Sequence, residues 1–419
     1  MGDTTAASGT GRDTGPPPVI TCREPGSFAR SVMAERHPAL IEQVRDAFPY
    51  GPRQHRALDA LSHEIIHGVV EPPGTGSPDR DLWLVRGRDH FGRSWFDAPF
   101  LWAESYFYRR LLEAVGYFGG PWQGIDPFAP FKRAELRGGT VEEELRALDD
   151  LAGVPAAGRA EALLQASLWG NRADLGFHGP DGASASDTAG PGGSGDGGTA
   201  PGLVADDSAA LWALLPPGSG ASVAVIADNT GRELIPDLVL VDHMLQHGHA
   251  DRVVLHVKPD PYYVSDATTA DVVDCLRRLE RAPGEAGAIG GRVREAMGTG
   301  RLDVRAHAFF CAPFPYERMP DDLRAELGAA TLTILKGDLN YRRLVGDRLW
   351  PATTSFAGLT AYFPSPVAAL RTLKSDVVVG LGPRTLDGLE RSGRAWRTSG
   401  THALVQVRDR PHAPAHGAP

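Results

Sequence analysis

The chain has 419 residues, 42% hydrophobic and 23% charged, with a formal net charge of −9. That size and composition suit one large or two medium globular domains whose core needs no staples, and the acidic balance argues against a general nucleic-acid binder, which presents a basic face. Three widely spaced cysteines, Cys22, Cys275 and Cys311, define no disulfide framework or zinc knuckle, and no run of 18 apolar residues marks a membrane span.

The first 18 residues, MGDTTAASGTGRDTGPPP, have neither the basic start nor the apolar core of a secretory signal. They read as a disordered leader, and a reduced, cytoplasmic setting is expected. Residues 19–178 read as a helical domain. The stretches 103–118 and 141–153 carry apolar residues at three- and four-residue spacing, and Tyr106, Leu111 and Val115 share part of one face. Within this half, His63-Glu64-Ile65-Ile66-His67 matches H-E-x-x-H, the zinc-peptidase helix motif. No histidine follows at the metzincin spacing, which leaves Glu104 as the attractive third ligand. The plainer reading is a helix with two partly exposed histidines.

Residues 179–203 form a Gly/Ser-rich stretch that can bury no core, and are expected to be a flexible loop. Beyond it, residues 204–409 alternate short apolar runs with helical patterns. The runs are 223–228, 252–257, 301–310, 331–338, 375–382 and 403–409. Near-continuous β-branched runs between helices predict a three-layer α/β/α, Rossmann-like domain around a parallel sheet. After the first run, Thr230 and Glu233 have capping-box spacing, Pro236 suits a first helical turn, and Gly248 suits the helix end. His243 and His247, four apart on that helix, read as surface or second-layer residues. Residues 410–419 read as a disordered tail.

Ligands of open α/β sheets sit beyond the carboxyl ends of the strands. Asp228-Asn229 follows the first apolar run, Asp266 comes soon after the second, and Lys336 and Asp338 close the run at 331–338. Two carboxylates and an amide oxygen make an all-oxygen set for a hard divalent ion such as Mg2+ or Mn2+. Taken singly, each residue has a plainer reading: a turn, a helix start, a solvated cationic surface. Asp228-Asn229-Thr230 lacks the D-x-D pair of haloacid-dehalogenase-type chemistry. Gly380-Leu381-Gly382 is only a fragment of a nucleotide-binding glycine turn.

The segments ADNTGRELIPDLVLVDHML and KGDLNYRRLVGDRLW, together with Arg371-Thr372-Leu373-Lys374, resemble in order the signatures of the damage-control phosphatases. The Arg-Thr-x-Lys match points to their sugar-phosphate subfamily, and SWFDAPFLWAESYFYRRLLEA and SLWGNRADL resemble that subfamily's N-terminal region. The resemblance covers roughly residues 50–385. It implies a metal-dependent phosphatase acting on small phosphorylated metabolites, sugar phosphates among them, in a damage-control role. It implies Mn2+ first, then Co2+, Ni2+ or Mg2+, on Asp228, Asn229 and Asp266. It implies substrate contacts from Asp338, Leu339, Asn340, Tyr341 and Arg342, and phosphate binding by Lys374. Lys336 is a further candidate, as are Glu64, Asn171 and Asp174 from the helical half, and Asp338 is a candidate acid or base. Two departures stand out: the Gly-rich insertion after Asp174, and LSHEIIHGVVEPP around Glu64, which is only loosely family-like. One branch of the family is also described as acidic-residue methyltransferase-like. A methyltransferase using S-adenosylmethionine and a non-catalytic sugar-phosphate binder are therefore the rival readings. Neither a nucleic-acid nor a membrane partner is expected.

Overall fold

The computed structural model describes residues 15–170 and 202–409. Asn171, Asp174, most of the 179–203 stretch and the 410–419 tail lie outside the described residues, as does the leader up to residue 14. At residues 17 and 18, the Pro17 carbonyl accepts from Arg348 and the Pro18 carbonyl from the Leu349 amide.

Seven strands form one sheet: β1 (Leu203–Asp206), β2 (Ser222–Ile226), β3 (Arg252–Val257), β4 (Leu302–Ala306), β5 (Leu332–Lys336), β6 (Val367–Thr372) and β7 (Ala403–Arg408). Their order is β1-β7-β6-β5-β2-β3-β4. All neighbours run parallel except β6 and β7, which are antiparallel. The sheet is therefore mixed. An apolar strand reads alike in either direction, so composition could not reveal the reversal. From β2 the chain moves to β3 and β4 on one side, then returns to β5 and β6 on the other. The carboxyl end of β2 is a topological switch point, where such folds bind ligands.

Side chains alternate faces along each strand. On β2, Val223 and Val225 join the core beneath the helices Leu234–Gln246, Thr269–Glu280 and Gly284–Gly298. Ala224 and Ile226 join the core shared with the N-terminal helices His37–Ala47, Pro52–His67 and Phe100–Val115. Both faces are thus covered, which gives the three layers. Helix Phe100–Val115 is the central pillar of the second core, and its Tyr106, Phe107 and Leu111 are fully buried. It stops at Gly116, whose φ of +88° suits a residue without Cβ.

Two expected strands differ. The run at 301–310 is a strand only over Leu302–Ala306, followed by a 3-10 turn at Ala308–Cys311. The run at 375–382 is no strand, and the preceding segment forms β6 instead. The buried Arg371 guanidinium takes the carbonyls of Ser375 and Val377, while Gly380 and Leu381 donate to Thr354 and Ala352. Burial of Val377, Val378 and Val379 explains their apolarity without a ladder.

The anticipated capping box at Thr230 does not form. Helix Leu234–Gln246 starts one turn later, with no side-chain cap from Glu233. A capping box exists instead between Thr268 and Asp271, at the start of helix Thr269–Glu280.

Candidate active site

Two loops meet at the switch point, one leaving β2 and one leaving β3. Asn229 and Asp266 pair as an isolated antiparallel bridge. The Ala267 amide donates to the Asp228 carbonyl at 2.8 Å, and the Thr230 amide to the Ser265 carbonyl at 2.7 Å. This stitching brings Asp228, Asn229 and Asp266 onto one wall of a cleft of about 520 Å³. Asn229 Oδ1 accepts from Ser265 Oγ at 2.7 Å, and Asp266 Oδ2 from the Tyr263 amide at 3.0 Å.

Asp228 is 6% exposed, and its Oδ1 is buried with no hydrogen-bond partner. The Lys258 ammonium lies 3.6 Å from that oxygen and 3.7 Å from Asp266 Oδ1. Burial pushes the Asp228 carboxyl up to about 7; Lys258 opposes this, and Asp266 and Glu233 add to it. Lys258 follows β3 directly, so its strand-end position was a legible signal that sequence reasoning missed. A second missed residue is Lys132, 4% exposed, whose Nζ donates to the Asp266 carbonyl at 2.8 Å. It lies 134 positions away in the chain and carries no local signal.

The helix Gly337–Val345 abuts this wall. Gly337 has φ +81°, and a Cβ there would collide with the Asp228 carboxylate. Glycine therefore serves both backbone conformation and close approach. Asp338 and Leu339 face the same cleft. Asp338 Oδ1 accepts from Arg371 Nε at 2.8 Å, Ser375 Oγ at 3.0 Å and the Lys374 amide at 3.3 Å. Burial alone would raise its carboxyl, but Arg371, Arg342 and these hydrogen bonds outweigh burial and hold it below the usual range. Asp338 is thus a standing carboxylate with no proton to donate.

Lys374 lines the cleft with its side chain 43% exposed, and its Nζ is 3.3 Å from Glu233 Oε1. Arg342 also lines it, but its guanidinium is committed to Glu104 at 2.9 Å and to Asp347 at 2.8 and 3.1 Å. It braces the wall with three of its five N–H donors and keeps two for a phosphate.

Four expected contacts lie elsewhere. Lys336 turns to the opposite face of the sheet, where its Nζ meets Asp237 at 2.8 Å and Ser167 Oγ at 2.5 Å. Strand alternation sends it there. Asn340 is fully buried; it accepts from Tyr316 at 2.8 Å and donates to the Ala227 carbonyl at 3.2 Å. Tyr341 is buried under Arg371 and donates to Gln406 at 2.9 Å. Glu64 is clamped by Arg110 at 3.0 and 2.9 Å, away from the cleft. None of the four lines the cleft. Asn171 and Asp174 lie outside the described residues.

The peptidase reading has no geometric support. His63 and His67 are exposed on helix Pro52–His67, Glu64 is held by Arg110, and Glu104 pairs with Arg342. Among the described residues, no group of three His, Cys, Asp or Glu is placed to hold a metal. His243 is not a surface residue: it is 3% exposed and lines a separate cavity with His247. Gly380-Leu381-Gly382 follows no strand and borders another cavity near β7.

The damage-control phosphatase ARMT1-like domain matches residues 32–387. This chain belongs to that family. Damage-control phosphatase ARMT1 of Homo sapiens is 32% identical over 93% of this chain and 98% of its own length. The proteins of the same name from Danio rerio and Xenopus laevis are 30% and 34% identical, over 93% and 94% of this chain and 97% and 99% of theirs. A DUF89 family protein from Pyrococcus horikoshii, of solved structure, is 15% identical with a TM-score of 0.47, over 91% of this chain and 98% of that one. Membership places the chain among the phosphatases, on an α/β fold. No described helix is long and apolar enough to cross a membrane.

Proposed function

We propose that this damage-control phosphatase hydrolyses small phosphorylated metabolites, sugar phosphates among them, and requires one divalent cation, Mn2+ first and Co2+, Ni2+ or Mg2+ as substitutes. The observation that carries this reading is the buried Asp228 Oδ1, which has no hydrogen-bond partner and meets only the Lys258 ammonium at 3.6 Å, set beside Asn229 and Asp266 at the switch point. Two buried carboxylates share the single Lys258 ammonium, which leaves one negative charge at this point for a further cation to meet. The donors are all oxygens, which suits a hard or borderline divalent ion. Asp228, Asn229 and Asp266 would hold it, and when bound it supplies Lewis-acid polarisation of a phosphoryl oxygen.

The protein's own groups supply the rest. Lys374 offers a cation to the phosphate at the open side of the cleft, exchanging Glu233 for substrate oxygens. Lys258 balances the charge of Asp228 and Asp266 and keeps both carboxylates at one point. Arg371, Ser375 and the Lys374 amide hold Asp338 ionised, able to orient the attacking water and accept its proton as the P–O bond forms. Tyr108 stacks on Tyr263 at 4.5 Å and walls the cleft toward the N-terminal helices. The three free cysteines accord with a reducing, cytoplasmic setting.

The test is phosphate release from a hexose phosphate by purified protein, with and without Mn2+, Co2+, Ni2+ or Mg2+. Turnover is expected only with metal, and Asp228→Ala is expected to abolish it in a folded protein. Full activity of that variant, or of wild type in chelator, would overturn the metal assignment. Binding of hexose phosphate without release would favour the binder. Methyl transfer from S-adenosylmethionine without phosphate release would favour the methyltransferase.

A further inference from the structure

The wall of the cleft opposite the sheet is built by a segment that phosphate hydrolysis leaves without a task. Helix Phe28–Ser31 passes through a π-turn, Val32–Arg36, before helix His37–Ala47. A π-turn inserts an extra residue into a helix and re-aims the side chains around it, and such turns recur at functional sites. Here it presents Arg36 and His37 to the same cleft as Asp228 and Lys374.

Arg36 differs from the other cleft cations. Arg342 is tied to Glu104 and Asp347, and Lys374 to Glu233. Arg36 is exposed, and among the described residues it has neither a hydrogen bond nor an ion pair. It lines the cleft together with His37 and Tyr108. His37 is 2% exposed, stacks on Phe107 at 3.8 Å, and leaves both ring nitrogens unpartnered. A guanidinium with no counter-ion among the described residues, lining a cleft of about 520 Å³, can take an anion bidentately. The scissile phosphate is already provided for on the sheet side.

We propose that Arg36 binds a second anionic group of the substrate, so that the enzyme prefers phosphorylated metabolites carrying two anionic groups, such as a sugar bisphosphate, over monophosphates. This rests on the phosphatase reading above and names the substrate class of that same site.

The experiment compares a hexose bisphosphate with a hexose monophosphate as substrates of wild type, Arg36→Ala and Arg36→Lys, with Mn2+ present. Wild type is expected to show the lower KM for the bisphosphate. Arg36→Ala is expected to raise that KM about tenfold, the order of one lost charge-assisted contact, and to leave kcat and the monophosphate KM within about twofold. Arg36→Lys should fall between. Equal KM increases for both substrates would place Arg36 on the scissile phosphate and overturn the proposal, and so would no change for either. If wild type releases phosphate from neither compound, the phosphatase reading fails by itself. Calorimetric binding of the same two compounds then decides: tighter bisphosphate binding lost in Arg36→Ala upholds the second-anion site, and equal binding overturns it. Arg36 is solvent-exposed and unbonded among the described residues, so its substitution leaves the fold intact.

Discussion

Lys132 donates to the backbone carbonyl of Asp266 across 2.8 Å, from a helix of the N-terminal half to the loop beyond β3. The same ammonium holds Asp126 and Asp271 at 2.9 Å each. Asp271 in turn accepts from the Thr268 amide at 2.9 Å and its hydroxyl at 2.7 Å, closing the cap of helix Thr269–Glu280. One buried lysine therefore sets the position of a proposed metal ligand against the helix that follows it.

Replacing Lys132 with Met leaves two carboxylates of a buried network uncompensated, a change that destabilises by about 3–5 kcal/mol. The expected result is a lower Tm together with a weaker Kd for Mn2+, since the Asp266 carbonyl loses its donor. Lys132→Arg should recover part of both. A folded Lys132→Met protein that binds Mn2+ as wild type does would show that Lys132 only stabilises the fold.

Gly337 offers a sharper probe of the site. Alanine there meets two penalties: a positive φ, worth about 1–3 kcal/mol, and a collision with the Asp228 carboxylate. Gly218→Ala is the control, because Gly218 also has positive φ, +78°, but faces open space. Both variants should lose stability in thermal denaturation. Only Gly337→Ala should lose phosphate release, on the order of 100-fold or more. Similar activity losses in both would mean that Gly337 reports strain alone.

Much of this arrangement is written locally in the chain. β2, β3, β5 and β7 are buried on both faces, so each reads as a short apolar run. Asp228, Asn229 and Asp266 follow such runs closely, which is why they stand out. β6 was hidden because PVAALRT looks unremarkable beside SDVVVGLG, and the hydrogen bonds that make 375–382 a loop come from the side chain of Arg371. Lys336 misled because strand-end position was weighed without strand parity. Leu335 belongs to the cleft-side core, so its neighbour Lys336 must face the other way. Asn340 and Tyr341 share a signature with Asp338, yet a helix turns successive residues about 100° apart, so only part of the motif reaches the cleft. Lys132 and Arg36 come from distant segments, and nothing near them in sequence marks their use.

Three buried histidines give the protein an acid limit. Burial pushes His37 down to about 3 and both His243 and His256 to about 4; neighbouring cationic groups add at each, and Glu326 opposes at His256. Their folded values lie below the ordinary 6.5, so at pH 5 the unfolded chain binds more protons than the folded one. Their share of the stability is therefore complete above about pH 6.5 and is lost as pH falls toward 4, with a slope of up to about 1.4 kcal/mol per pH unit for each histidine, while the raised Asp228 carboxyl works in the opposite sense between about pH 4 and 7. Urea denaturation between pH 7 and 4.5 measures this slope, and His256→Gln should make it shallower by the share of one group. An unchanged slope in His256→Gln would contradict the assignment.

Lys336 and Lys374 make opposite predictions, although Lys336 ends β5 and Lys374 follows β6 of the same sheet. Lys336 is 3% exposed and pairs with Asp237, which is also 3% exposed, on the face away from the cleft. Lys336→Met leaves Asp237 and Ser167 without their cation, so stability should fall by about 3 kcal/mol or more, while KM for a hexose phosphate in the surviving folded protein stays within about twofold. Lys374→Ala removes a half-exposed side chain whose ion pair with Glu233 contributes little, as such partly solvated pairs do. Its Tm should barely move, while KM rises about tenfold or more through loss of a phosphate contact. Measuring Tm and KM on both variants separates the two lysines. A large KM effect at Lys336 with little stability change would return it to the phosphate site, and an unchanged KM at Lys374 would remove that residue from it.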